Sequence, residues 1–178
     1  YTPAVDDSSA VSFSYAVDDG NGGTVIGSAT LDLLPVNDVP TTSLVTFLPL
    51  AEDGGPRLIT SAELLANATD LDGDPLTPTG LAITSGNGTL VDNGNGTWTY
   101  TPAADDSGSV AFLYTIGDGN GGTIAGGATL DITPLNHGPI VTWNGGGVNA
   151  NTGVAENTTA VTVVTSLDVD GDAVQYSI

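Results

Sequence analysis

Basic side chains are almost missing from this chain. Its 178 residues hold no lysine, one arginine (Arg57) and one histidine (His137) against 21 acids, for a formal charge of −20. Phosphate binding draws on clusters of Lys and Arg, so nucleic acid is excluded as a partner and an anionic membrane surface with it. Salt bridges can neutralise almost none of the charge, and cations from solution must do so. Cysteine is absent altogether, which removes disulfides, a thiolate nucleophile and Cys-ligated zinc and leaves the compartment unreadable from redox chemistry. A single histidine leaves little for a His-based metal site. No apolar run approaches the roughly 20 residues that span a bilayer, so no membrane insertion is expected. The chain opens at Tyr1 without a charged-then-apolar leader, which reads as a processed or excised piece.

Glycine and proline are plentiful, at 25 and 10 residues, yet stay below the share typical of disordered low-complexity chains, and 39% hydrophobic content suffices for a core. A folded, turn-rich, acidic β protein is the expectation. An internal repeat organises it. Residues 1–40 align without a gap to residues 100–139 with 24 identities in 40 positions, a period of 99. The motif Asp70-Leu-Asp-Gly-Asp74 recurs as Asp168-Val-Asp-Gly-Asp172 at a spacing of 98, which extends the period over the rest of the chain. One complete unit then occupies residues 41–139, with 1–40 the C-terminal part of a preceding unit and 140–178 the N-terminal part of a following one.

Alternating apolar positions bounded by turn residues give the strands. Val110, Phe112, Tyr114 and Ile116 should face one core, as should Val11, Phe13, Tyr15 and Val17 in the earlier copy. Asp118-Gly-Asn-Gly-Gly122 and Asp92-Asn-Gly-Asn-Gly96 read as hairpin loops, the first leading into a strand with Ala128, Leu130 and Ile132 inward. Trp98 and Tyr100 alternate with Thr97, Thr99 and Thr101. The one helix candidate begins at Thr60-Ser-Ala-Glu63, a capping box with Thr60 as N-cap, and continues into Leu64–Asn67 for a turn or two. About seven short strands in a unit of about 99 residues predict an all-β fold of tandem two-sheet Greek-key β-sandwiches.

Fourteen of the 21 acids fall into four groups that recur in phase. These are Glu52-Asp53 with Glu156; Asp70, Asp72 and Asp74 with Asp168, Asp170 and Asp172; Asp105-Asp106 with Asp6-Asp7; and Asp38 in the Asn37-Asp-Val-Pro40 junction. Acids serving solubility alone have no reason to recur. A tight Asp-x-Asp-Gly-Asp turn crowds three carboxylates, and like charges 4 Å apart repel by about 4 kcal/mol at an effective dielectric near 20. Calcium, which takes six to eight oxygens in flexible geometry, suits such a loop better than magnesium. The spacing is not an EF-hand, because Pro75 stands where the loop glycine belongs and no glutamate closes the loop. Nor does Asn120-Gly-Gly122 match the glycine-rich calcium nonapeptide.

The Asx-rich junction followed by Pro, the Glu near the start of a unit, the Asp-x-Asp-Gly-Asp motif and the Phe-x-Tyr strand before Asp-Gly-Asn-Gly-Gly resemble the cadherin-like tandem repeats of large bacterial surface adhesins and biofilm-associated proteins. The resemblance implies calcium between consecutive domains, ligated from both sides and stiffening the array into a rod. It implies a first junction of Asp6 or Asp7, Asn37 and Asp38 with Asp70 and Asp72. The second would draw on Glu52, Asp105 or Asp106, and Asn136 with Asp168 and Asp170. Asp74, Asp172 and Glu156 complete the candidate ligands. His137 replaces the junction Asp seen at Asp38, so the second junction should bind calcium more weakly or with fewer ions, and His137 itself is expected as a surface residue.

The function expected is a non-enzymatic structural segment of an extracellular, cell-surface fibre or adhesin, its partners being neighbouring repeats or copies of itself. Residues 140–178 lack the later strands of a sandwich and 1–40 supply such strands, so one chain's tail could complete the next chain's head by strand complementation. A carbohydrate-binding module is the alternative, with Trp98, Tyr100 and Trp143 available to stack on sugars, although Trp98 and Tyr100 alternate on a strand in the manner of core residues. Catalysis is not expected, because the acid pairs Asp105-Asp106 and Asp18-Asp19 are adjacent residues that point to opposite faces of a strand, whereas glycoside hydrolysis needs two acids facing one another across a cleft. Asn67, Asn87, Asn95 and Asn157 head Asn-x-Thr sequons.

Overall fold

The computed structural model describes residues 1–142, 156 and 164–177. Alternation of apolar and polar side chains builds a β-sandwich whose two sheets both come from the middle of the chain. One sheet gathers β3 (Val45–Thr46), β4 (Leu50–Ala51), β6 (Thr77–Ser85), β9 (Ser109–Gly117) and β10 (Thr123–Thr133). Its order is β3-β10-β9-β6, with β4 also on β10. The facing sheet has the order β5-β8-β7, formed by β5 (Arg57–Thr60), β7 (Thr89–Asp92) and β8 (Thr97–Thr101). Strand β9 runs antiparallel to both β6 and β10. Strands β3 and β4 instead run parallel to β10, Ala128 lying opposite Val45 and Ile132 opposite Leu50.

The core forms where the inward faces meet. Val110, Phe112, Tyr114 and Ile116 of β9, Ala128, Leu130 and Ile132 of β10, and Trp98 and Tyr100 of β8 are all buried, as the alternation predicts. Burying each large side chain contributes roughly 1.5–3 kcal/mol. Phe112 meets Tyr100 edge-on at 5.5 Å between ring centroids and Phe47 at 6.1 Å. The Tyr100 hydroxyl donates to the Asn87 carbonyl at 2.7 Å and the Tyr114 hydroxyl to the Leu64 carbonyl at 2.6 Å, so both buried phenols are satisfied.

The predicted capping box is present. The Thr60 side chain accepts from the Glu63 amide while Glu63 accepts from the Thr60 amide. The resulting α1 (Ser61–Leu64) is a single turn, and Arg57 closes it with a 2.9 Å ion pair to Glu63. The loops at 92–96 and 118–122 join β7 to β8 and β9 to β10, where the sequence places them.

Strands β1 (Val11–Asp18) and β2 (Thr24–Leu31) form a separate two-stranded hairpin, and β11 (Ile140–Val141) pairs with β12 (Ser166–Leu167). Here one expectation is corrected. Phe13 is 38% exposed and Tyr15 52%, whereas their repeat counterparts Phe112 and Tyr114 are 3% and 2% exposed. Val17 is likewise exposed and Val11 half-buried. Among the described residues no second sheet covers this hairpin, so the same sequence pattern that fills a core on β9 lies open on β1.

Candidate metal centres at the two junctions

The first junction follows β2, where the linker 35–40 runs against the start of the sandwich. Asn37 points back and donates through Nδ2 to Asp118 Oδ2 at 2.8 Å. Asp118 is 1% exposed and also accepts from the Asn120 and Gly122 amides at 2.7 and 3.0 Å. These bonds, the one from Asn37 foremost, hold its carboxyl below the usual range. A Cβ on Gly122 would collide with that carboxylate and stand 3.1 Å from Val39 Cα, so only glycine lets the loop close this tightly on the linker. Asn120 in turn donates to Asp74 Oδ2 at 2.6 Å. Asp118 and Asn120 therefore tie the linker and the acidic loop to the β9–β10 hairpin. The sequence reading treats both only as turn residues, though the recurrence of Asp19-Gly-Asn-Gly-Gly23 marks the position.

Around this scaffold the carboxylates converge. Asp70 Oδ1 accepts from the Asp72 and Asp74 amides at 3.0 and 3.2 Å, curling the loop, and one oxygen from each of Asp70, Asp72 and Asp74 lies within 4.8 Å of the others. The Asp38 amide donates to Asp72 Oδ2 at 2.7 Å. Asp6, Asp7, Asp38 and Asp72 line one cleft. Of the pair, Asp7 is engaged locally, accepting from the Ser9 amide at 3.0 Å and from the Ser9 hydroxyl, while Asp6 adds its charge to Asp38. Desolvation first, then the charges of Asp6, Asp72 and Asp70, raise the Asp38 carboxyl above its usual range.

The second junction repeats the plan. The His137 amide donates to Asp170 Oδ2 at 2.5 Å, the counterpart of Asp38 on Asp72. Asp168 Oδ1 accepts from the Asp170 and Asp172 amides at 3.0 and 3.2 Å, as Asp70 does in the first loop. Glu52, Asp105, Asn136 and Asp170 line the cleft. Glu52 is 3% exposed and accepts from the Leu135 amide at 2.6 Å. Asp106 is not among the residues lining this cleft, and its charge instead acts on Tyr100. Glu156 is exposed, and its neighbours, like Trp143 and the Asn157 sequon, lie outside the described residues. His137 departs from the surface residue expected. It is half-buried, with its ring facing Asp170 at 3.3 Å and Asp53 at 3.0 Å, and Asp105 and Glu52 at 3.9 and 4.0 Å.

A family model of the cadherin-like domain matches residues 36–133, from the junction through β10. The chain belongs to this family. The match covers both sheets of the sandwich and the whole first acidic loop, so the architecture and the expected family agree. No curated protein matches the cadherin-like chain. Solved structures similar to it include the endo-fucoidan hydrolases MfFcnA4 and MfFcnA9 from glycoside hydrolase family 107, at 20% and 21% identity and TM-scores of 0.36 and 0.34. The alignments cover 75% and 74% of this chain but only 20% and 23% of those chains, so the chain spans about a fifth of their length. Among the described residues no helix is long and apolar enough to cross a membrane.

Calcium is the ion this family implies, and one observation tests the fit at the first junction. Asp70 Oδ2 is buried without a hydrogen-bond donor, an orphan that costs free energy unless a cation faces it. The side chains grouped with it, Asp72 and Asp74, and the Asp38 carboxyl that feels its charge offer oxygen, which is calcium's donor type. The residues fit.

Proposed function

We propose that the chain is a structural segment of an extracellular adhesin or fibre, with repeats bounded near residues 41 and 139 and stiffened by calcium at the junctions between them. The observation that supports this reading is the undonated buried oxygen of Asp70 within an all-carboxylate loop that the Asp38 amide ties to the linker. Asp6, Asn37 and Asp38 on one side and Asp70, Asp72 and Asp74 on the other would hold the ion at the first junction. Glu52, Asp105, Asn136, Asp168 and Asp170 are the counterparts at the second, with fewer anionic donors because His137 stands at the position of Asp38. When bound, calcium supplies the positive charge that lets these acids sit together, and the linker is then fixed from both sides. The role needs no chemistry, and the acids are ligands rather than a catalytic pair. Sugar stacking finds no support at Trp98 and Tyr100, both buried in the core.

The open face of β1 extends the proposal. Phe13, Tyr15 and Val17 would be covered by the early strands of another unit, supplied by residues 140–178 of a second copy or by adjoining sequence. Sedimentation velocity in excess calcium and after chelation tests both parts. Assemblies that shrink on chelation support head-to-tail completion, and a monomer whose frictional ratio changes supports a calcium-stiffened rod. No change in either quantity refutes the calcium reading.

A further inference from the structure

The second junction has a feature that calcium chemistry does not use. His137 Nδ1 lies 3.3 Å from Asp170 Oδ1, and the His137 amide holds the other oxygen of the same carboxylate. The opposite ring nitrogen, Nε2, lies 3.0 Å from Asp53 Oδ2 and 3.9 Å from Asp105 Oδ1. A neutral imidazole carries one N–H and one lone pair. With the proton on Nδ1, donated to Asp170, the Nε2 lone pair confronts two carboxylate oxygens, three acceptors with no donor among them. Asp53 and Asp105 are open to solvent and His137 partly so, so an ion can enter and keep water ligands.

We propose that His137 Nε2, Asp53 and Asp105 form a binding site for a first-row transition-metal dication of the zinc class, distinct in metal preference from the first junction. Imidazole nitrogen suits zinc and its neighbours, whereas calcium takes oxygen. Two donors about 2.0 Å from a tetrahedral ion stand about 3.3 Å apart, and the separations of 3.0 and 3.9 Å bracket that value. All three donor atoms lie within 4.8 Å of one another. Asp170 supplies the orienting carboxylate behind the ligating ring, which fixes the tautomer that frees Nε2. At the first junction Asp38 occupies the place of His137 and the donors are all oxygen, so the zinc-class ion is a feature of the second junction, where it would draw Asp105 away from the calcium donors proposed above.

The full chain, stripped of metal, is titrated with zinc chloride while the ring nitrogens are followed by nitrogen-15 NMR; its single histidine makes the assignment unambiguous. The titration is run with and without excess calcium, so that a chain failing to bind calcium still reports on zinc. One zinc per chain, a shift at Nε2 and a proton retained on Nδ1 are expected, with affinity at least tenfold lower in Asp53→Asn and lost in His137→Asp, by the usual scale of ligand and supporting-residue losses. A ring that stays doubly protonated with zinc present, or equal zinc affinity in His137→Asp, overturns the proposal; the first result would assign the positive charge to the imidazolium itself.

Discussion

Replacing Phe112 and Phe13 by alanine, one at a time, compares the same repeat position in two environments. Phe112 is fully enclosed between Phe47 and Tyr100, and truncating such a residue costs about 3–5 kcal/mol in lost transfer energy and residual cavity. In a domain of this size each kcal/mol moves Tm by about 4–8 °C, so Phe112→Ala should lower the main transition by roughly 12–40 °C. Phe13 has one aromatic neighbour, Tyr1, at 5.9 Å, and an open outer face. Phe13→Ala should leave the main transition within about 0.5 kcal/mol of the parent, as surface changes do. Scanning calorimetry on dilute protein, with the fluorescence of buried Trp98 as a second probe, reads both. A fall in Tm for Phe13→Ala as large as that for Phe112→Ala would refute the description of β1 as uncovered. If that fall appeared only at high protein concentration, a second copy would be the cover.

Calcium at a hundredfold excess over its dissociation constant should stabilise the chain by about 2.7 kcal/mol, a rise of roughly 10–20 °C that chelator reverses and that Asp70→Asn abolishes. Tyr114→Phe removes the buried bond to the Leu64 carbonyl and should cost about 1–3 kcal/mol in urea titration, loosening α1. Asn37→Ala should let the Asp118 carboxyl rise toward 3.8, read by carbon-13 NMR. Because the depressed value favours the charged form, its stabilising contribution is present at neutral pH and disappears as pH falls through that value. In metal-free protein, His137 should titrate above 6.5, raised first by its bond to Asp170. Its contribution is therefore full below 6.5 and lost as pH climbs through the raised value, so chelated protein should soften on the alkaline side.

Strand period, turn chemistry and the repeat were legible because each is local. The alternation on β8, β9 and β10, the loops at 92–96 and 118–122 and the capping box at Thr60 all appear where their residues place them. The environment of β1 was not legible, since alternation says which side chains share a face and nothing about what lies over it. The acidic groups were legible as a recurring set by their phase, and the fold draws Asp70, Asp72 and Asp74 together. Separating Asp6 from Asp7 and Asp105 from Asp106 needed the fold, because Asp7 folds back on Ser9 and the charge of Asp106 acts on Tyr100. His137 was discounted as solitary, but metal-site counting by histidine number overlooks carboxylates brought in from residues 84 positions away, as Asp53 is.

The parallel pairing of β3 and β4 with β10 sets how the sandwich carries load. The first strands after one linker and the last strand before the next share hydrogen bonds, among them Phe47 amide to Thr129 carbonyl at 2.8 Å and Glu52 amide to Thr133 carbonyl at 2.9 Å. Because the two run the same way, tension applied at the linkers drags them past one another, and these bonds resist in shear together, where a hairpin edge would unzip one bond at a time. If such units are joined through cation-held junctions, as proposed, the junction rather than the sandwich would be the first element to yield under tension.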